Sequence, residues 1–169
     1  FGYSDHEIEL VKIAGYMHDI GNSINRTHHA EYGALLANDL LKEMDMPLED
    51  RITIISAIGN HDESTGSPED VISAALIIAD KTDVRRSRVR EKERGAFDIH
   101  DRVNYAVTES KLKIEKDRSV IALNLQVDEK ICSMYDYFEI FLGRMMLCQK
   151  SAEILGTTFK LTVNGRKVL

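Results

Sequence analysis

The chain has 169 residues, 43% hydrophobic and 30% charged, with a formal net charge of -6. That length supports one core and a small appended subdomain, and the acidic balance argues against a nucleic-acid partner, which would need a clustered basic excess over a whole face. No apolar run approaches the roughly 18 to 20 residues of a membrane span and no basic-then-apolar leader opens the chain, so no membrane partner is expected.

Residue 1 is Phe and not Met, so a segment upstream of it is expected to have been lost. Ser4 followed by Glu7 is a capping-box pattern. Ile8, Val11, Ala14, Gly15, Met17 and His18 then recur at helical spacing until Gly21, which predicts a first helix with His18 on its buried face. A second helix is predicted from near Thr27, with His29, Gly33, Leu36, Ala37 and Leu40 on one face and His28 pointing away from it. After Pro47 a third helix carries Ile54, Ala57, Ile58 and His61 at i, i+3, i+4 and i+7 and ends at the loop "NHDESTGSP". Ser67 as N-cap, Pro68 at the first helical position and Glu69-Asp70 in the first turn predict a fourth helix, whose inward stripe runs Ile72, Leu76, Asp80, Asp83.

Beyond Gly95 the pattern changes. Leu112 and Ile114, a polar break at Lys116 to Arg118, and the alternating Ile121, Leu123, Leu125 and Val127 predict a hairpin. A long amphipathic helix follows from Glu129 to Leu155, and Phe159, Leu161 and Val163 alternate up to an Asn-Gly turn. Residues 112–127 and 158–168 are expected to form one antiparallel sheet under the helix that contains Phe138, Phe141, Leu142 and Met145. The fold class is therefore mainly α: a helical bundle over residues 1–94, then a small α+β subdomain over 95–169 of antiparallel strands plus one long helix. Cys132 and Cys148, placed on that helix, would lie about 24 Å apart, beyond disulfide reach. Free thiols imply a reducing, cytoplasmic location.

Three of the six histidines, His18, His28 and His29, fall close together near the N-terminus. His18 and Asp19 end one predicted helix, His29 begins the next, His61 ends the third, and Asp80 lies on the inward stripe of the fourth. Imidazoles and carboxylates without a thiolate suit one or two divalent ions among Fe, Mn, Zn, Ni and Mg. Downstream of Asp80, "DKTDVRRSRVREKER" offers cations for a small phosphorylated substrate. Lys81 and Arg85 are nearest along the helix, although a mixed-charge helix end is ordinarily a solvated face. A second His-Asp pair, His100-Asp101, lacks the following Gly and reads as a junction between the two parts.

"MHDIG" (Met17 to Gly21), the H-x-x-x-G of His29 to Gly33, "NHDE" (Asn60 to Glu63) and "IIADKTD" (Ile77 to Asp83), in this order, resemble the HD superfamily of metal-dependent phosphohydrolases. The resemblance implies a helical bundle in which His18, Asp19 and Asp80 hold one metal and, as in two-metal members, His29 and His61 hold a second. It also implies hydrolysis of a phosphomonoester, phosphodiester or phosphoanhydride in a nucleotide-like small molecule by a metal-activated water, with Asp19 bridging the metals as the catalytic carboxylate. The family's first His ligand lies on an earlier helix and is expected upstream of Phe1, because His6 sits about 18 Å along the helix from His18. Asn22 stands at the expected substrate where many relatives carry Lys. The segment from "NHDE" to "RRSR" is faintly similar to bacterial diadenosine tetraphosphatases, which makes a dinucleoside polyphosphate one candidate substrate. The G-Y-P extension that marks cyclic di-GMP phosphodiesterases is absent after "NHDE". The competing expectation is a catalytically silent, metal-bound sensor or assembly module, with the C-terminal subdomain available for homo-oligomerisation.

Overall fold

The computed structural model describes residues 1–89, 99–115, 117 and 119–169, without the side chains of Arg88, Ile99 and His100. The expected boundary between residues 94 and 95, two residues of the expected polar break (Lys116 and Arg118) and the His100 side chain lie outside the described residues. The chain divides into two compact units, Phe1–Asp80 and Lys81–Leu169.

In the first unit α1 (Asp5–Met17) starts as expected. Ser4 Oγ accepts from the Glu7 amide at 3.2 Å, while the Glu7 carboxylate accepts from the Ser4 amide at 2.7 Å. This capping box satisfies amides that the first turn leaves without helical partners. The helix ends at Met17, before Gly21, and a 3-10 turn over Ile20–Ser23 carries the chain towards α2 (His29–Glu43). Gly21 is needed for close approach: a Cβ there would meet the His29 carbonyl oxygen at 2.0 Å and the Gly33 nitrogen at 2.6 Å. A Cβ on Gly33 would in turn meet the His18 carbonyl oxygen at 3.1 Å and Ile58 Cγ2 at 3.2 Å. The two glycines let the turn after α1 lie against the first turns of α2.

The inward face of α2 is slightly rotated from expectation, since Leu41 is 2% exposed and Leu40 43%. α3 (Leu48–Gly59) buries Ile54, Ala57 and Ile58 as its spacing predicts. α4 (Val71–Thr82), whose last two residues belong to the second unit, starts later than Ser67-Pro68 suggested. Asp70 is the cap instead: its Oδ1 accepts from the Ser73 amide at 2.7 Å, and the buried Ser73 Oγ accepts from the amides of Asp70 and Glu69, both at 2.9 Å. Leu10, Ala14, Ala37, Leu41, Ile54, Ala57, Ile58, Ile72 and Leu76 make one core from all four helices. Each fully buried Leu or Ile contributes about 1.5–3 kcal/mol relative to exposure.

In the second unit α5 (Ile99–Ala106) precedes β1 (Val107–Glu115), β2 (Val120–Val127), α6 (Met134–Ile154), β3 (Thr158–Val163) and β4 (Arg166–Lys167). The strands form one sheet in the order β1-β2-β3-β4. β1–β2 and β3–β4 are antiparallel, the latter joined by Asn164-Gly165 with both φ positive, as an Asn-Gly hairpin requires. β2–β3 is parallel, with Ile121, Leu123 and Leu125 opposite Phe159, Leu161 and Val163, which corrects the all-antiparallel expectation. A strand, a long helix and a second strand in one sheet make a crossover, and a crossover returns the chain in the same direction. α6 buries Tyr137, Phe141, Met145, Cys148 and Ala152, whereas Leu142, expected on that face, is 49% exposed. Ser133 caps α6, so Cys132 precedes the helix; both cysteines are buried and neither is in a disulfide.

Candidate metal centre

Three imidazoles of the first unit are oriented in one way. His18 Nδ1 lies 2.8 Å from the Gly15 carbonyl oxygen, His29 Nδ1 3.1 Å from that of Arg26, and His61 Nδ1 2.6 Å from that of Ile58. In each case the carbonyl belongs to the residue three positions earlier. A carbonyl can only accept, so every Nδ1 carries a hydrogen, and in the neutral ring every Nε2 then presents a lone pair, the tautomer a metal needs. The rings form a compact group: His61 packs edge-on against His18 and against His29, with centroid separations of 5.1 and 5.0 Å.

Carboxylates complete the group. Asp19 Oδ2 lies 3.5 Å from His18 Nε2 and its Oδ1 3.6 Å from His29 Nε2, so one carboxylate faces two imidazoles. Asn22 Nδ2 donates to Asp19 Oδ1 at 2.9 Å, which places the Asn22 amide on this carboxylate. Asp80 Oδ1 is 3.7 Å from His18 Nε2, with its side chain only 14% exposed. The Asp80 carboxylate raises the His18 pKa above its ordinary 6.5, and this outweighs the opposing effect of burial. His18, Asp19 and His61 each offer a ligand atom within 4.8 Å of the others'.

The donor chemistry fits a metal. His29 Nε2 and His61 Nε2 are 3.2 Å apart, and when both rings are neutral with hydrogens on Nδ1 this sets lone pair against lone pair. A shared cation relieves that repulsion. An ion with Zn–N-like bonds of about 2.0–2.1 Å holds two adjacent nitrogens roughly 2.9–3.4 Å apart, which brackets the separation seen. His18, Asp19, His29, His61 and Asp80 are thus brought together within one unit.

The other sequence candidates fall elsewhere. His28 caps α2 in the left-handed region, at φ 61°, with its exposed ring 3.4 Å from the Glu31 carboxylate. Lys81 follows Asp80 in α4 and is buried, contrary to a solvated helix end, and Arg85 is exposed and pairs with Asp83 at 2.7 Å; both belong to the second unit. Asp62 was not singled out from the sequence, yet its Oδ2 lies 3.7 Å from His29 Nδ1. Its signal was the dipeptide His61-Asp62, which repeats His18-Asp19.

A bundle that carries such a His/Asp cluster has its counterpart among known families: the HD domain model matches residues 2–86, half of the chain, and the chain belongs to this family. HD domains bind divalent metals and are in general metal-dependent phosphohydrolases. No curated protein and no solved structure gives a significant match. Among the described residues, no helix is long and apolar enough to cross a membrane.

Proposed function

We propose that this protein is a metal-dependent phosphohydrolase acting on a small phosphorylated, nucleotide-like molecule, with His18, Asp19, His29, His61 and Asp80 as metal ligands. The observation that carries this reading is the placement of Asp19, whose two oxygens each face a different imidazole. One carboxylate serving two nitrogen donors is the arrangement a bridging ligand needs. When bound, divalent ions would hold a phosphate oxygen, neutralise developing charge and lower the pKa of water.

The chain's own residues prepare that chemistry. Three backbone carbonyls fix the imidazole tautomers, and each Nε2 is thereby presented without a rotamer search. Asn22 holds Asp19 Oδ1, which leaves the carboxylate oriented while its side chain is still 50% exposed. Substrate can therefore approach Asp19 from solvent. His18, His29 and Asp80 are more enclosed, at 20%, 15% and 14% exposure, which suits ligands better than reactants. Lys81 and Arg85, in the second unit, take no part in this reading.

The test is metal analysis of the purified protein, followed by hydrolysis of a panel of nucleotides, dinucleoside polyphosphates and a generic phosphodiester with Mn or Fe added. Turnover that is lost in Asp19→Ala and His61→Ala with the helical signal retained is the expected result. Stoichiometric metal without turnover on any substrate would support the silent sensor or assembly module instead.

A further inference from the structure

β1 is an edge strand: among the described residues it pairs with β2 alone, in unbroken register from Glu109 to Glu115. Its two faces differ in chemistry. Ser110, Leu112 and Ile114 stand opposite Leu125, Leu123 and Ile121 and share the apolar face of the sheet. Leu123 and Ile121 are buried there, whereas Leu112 is 43% and Ile114 52% exposed. Glu109, Lys111, Lys113 and Glu115 make the other face, and within the strand Lys111 pairs with Glu109 and Lys113 with Glu115. Near the start of the strand Ser110 Oγ donates to the Thr82 carbonyl at 3.3 Å, so among the described residues the open stretch is Lys111 to Glu115.

The outer row of amides and carbonyls on an edge strand is a template for another strand, and edge lysines ordinarily guard against that. Whether they guard depends on register, because residues directly opposite in an antiparallel pair share a face and interact. Pairing with a second copy about Leu112 sets Lys111 against Lys113 and Glu109 against Glu115, like against like. Pairing about Lys113 sets Lys111 against Glu115 and Leu112 against Ile114, each twice. One lysine pair remains at the axis, and each of those lysines already lies 3.3 Å from its own Glu115.

From this pattern we infer that β1 pairs antiparallel with β1 of a second copy of this chain, with Lys113 on the two-fold axis. The occupant is a second copy because one five-residue stretch supplies both halves of the complementary pattern, as a two-fold interface requires. Leu112 and Ile114 of the two copies cover one another on the apolar face. The interface is small, so the dimer is of the weak, concentration-dependent kind.

Sedimentation equilibrium of the full chain from micromolar to millimolar protein tests this. A monomer–dimer equilibrium is expected. Lys111→Glu should raise its dissociation constant about tenfold, since two attractive cross-strand pairs become repulsive. Ile114→Lys should weaken it too, without altering the circular dichroism spectrum. A monomer throughout the range, or a dimer indifferent to Lys111→Glu or to Ile114→Lys, would overturn the assignment.

Discussion

Asn22 donates to Asp19 Oδ1, so its removal tests the effect of orienting that carboxylate. Asn22→Ala is expected to lower metal affinity or turnover about 10–100-fold, as loss of such a supporting hydrogen bond commonly does; titration against a chelating indicator measures it. His18 adds a pH dependence. Its pKa is raised in the metal-free protein, chiefly by Asp80, so the imidazolium contributes stability that is fully present below the unfolded value near 6.5 and is lost as pH rises through the raised folded value. A metal needs the neutral ring, so affinity should move the opposite way, weakening as pH falls through that same raised value. Calorimetric metal titrations on either side of it, alongside metal-free melts, would check both signs. Gly21→Ala asks for a Cβ 2.0 Å from a backbone oxygen, where no side-chain rotation gives relief. A loss of about 2–4 kcal/mol in denaturant unfolding, together with weakened metal binding, is expected.

At the scale of elements, the helices of the first unit were legible where a local bond defines them. Ser4 and Glu7 announced α1 because the capping box is written in two residues three apart. Ser67-Pro68 misled because an equally local pattern, Asp70 followed three positions later by Ser73, lay just beyond it and wins the cap. Asp70→Ala should therefore cost about 1 kcal/mol, seen as a lower melting temperature, while Ser67→Ala should change little. Leu40 and Leu41 could not be separated by spacing alone, since both lie near the inward side of α2 and the neighbouring helices decide between them. Strand alternation was readable in Ile121 to Val127 and Phe159 to Val163, but alternation is the same in parallel and antiparallel pairs. Direction depends on the connection, and the 21-residue helix between those strands was the available sign of a crossover. That His18, Asp19, His29, His61 and Asp80 come together was legible because HD, H-x-x-x-G, NHDE and IADKTD carry them in order. Asp62 and the three carbonyl partners were hidden because they act through position and not through a motif.

For the molecule as a whole, metal binding and folding of the first unit are expected to be linked, since its candidate ligands come from the ends of all four helices, α1 to α4. Metal at about 100 times its dissociation constant adds roughly 2.7 kcal/mol to the stability of what binds it, so a thermal melt should move upward with added Mn and return with chelator. The second unit has no such ligand set among the described residues and owes its order to the sheet and α6. Its parallel ladder also bears on the order of folding events. β1 and β2 are neighbours in the chain and can zip early, as can β3 and β4 across Asn164-Gly165, but β2 meets β3 only when the chain has laid α6 between them. Loop closure must be met before that contact yields anything, which makes it the slow step of the unit. In pulsed hydrogen exchange during refolding, amides that bond across β2 and β3 should gain protection after those shared by β1 and β2. Until then Leu123, Leu125 and Leu161, all buried in the finished sheet, stand exposed in an unfinished one, and that interval is when the chain is most open to aggregation.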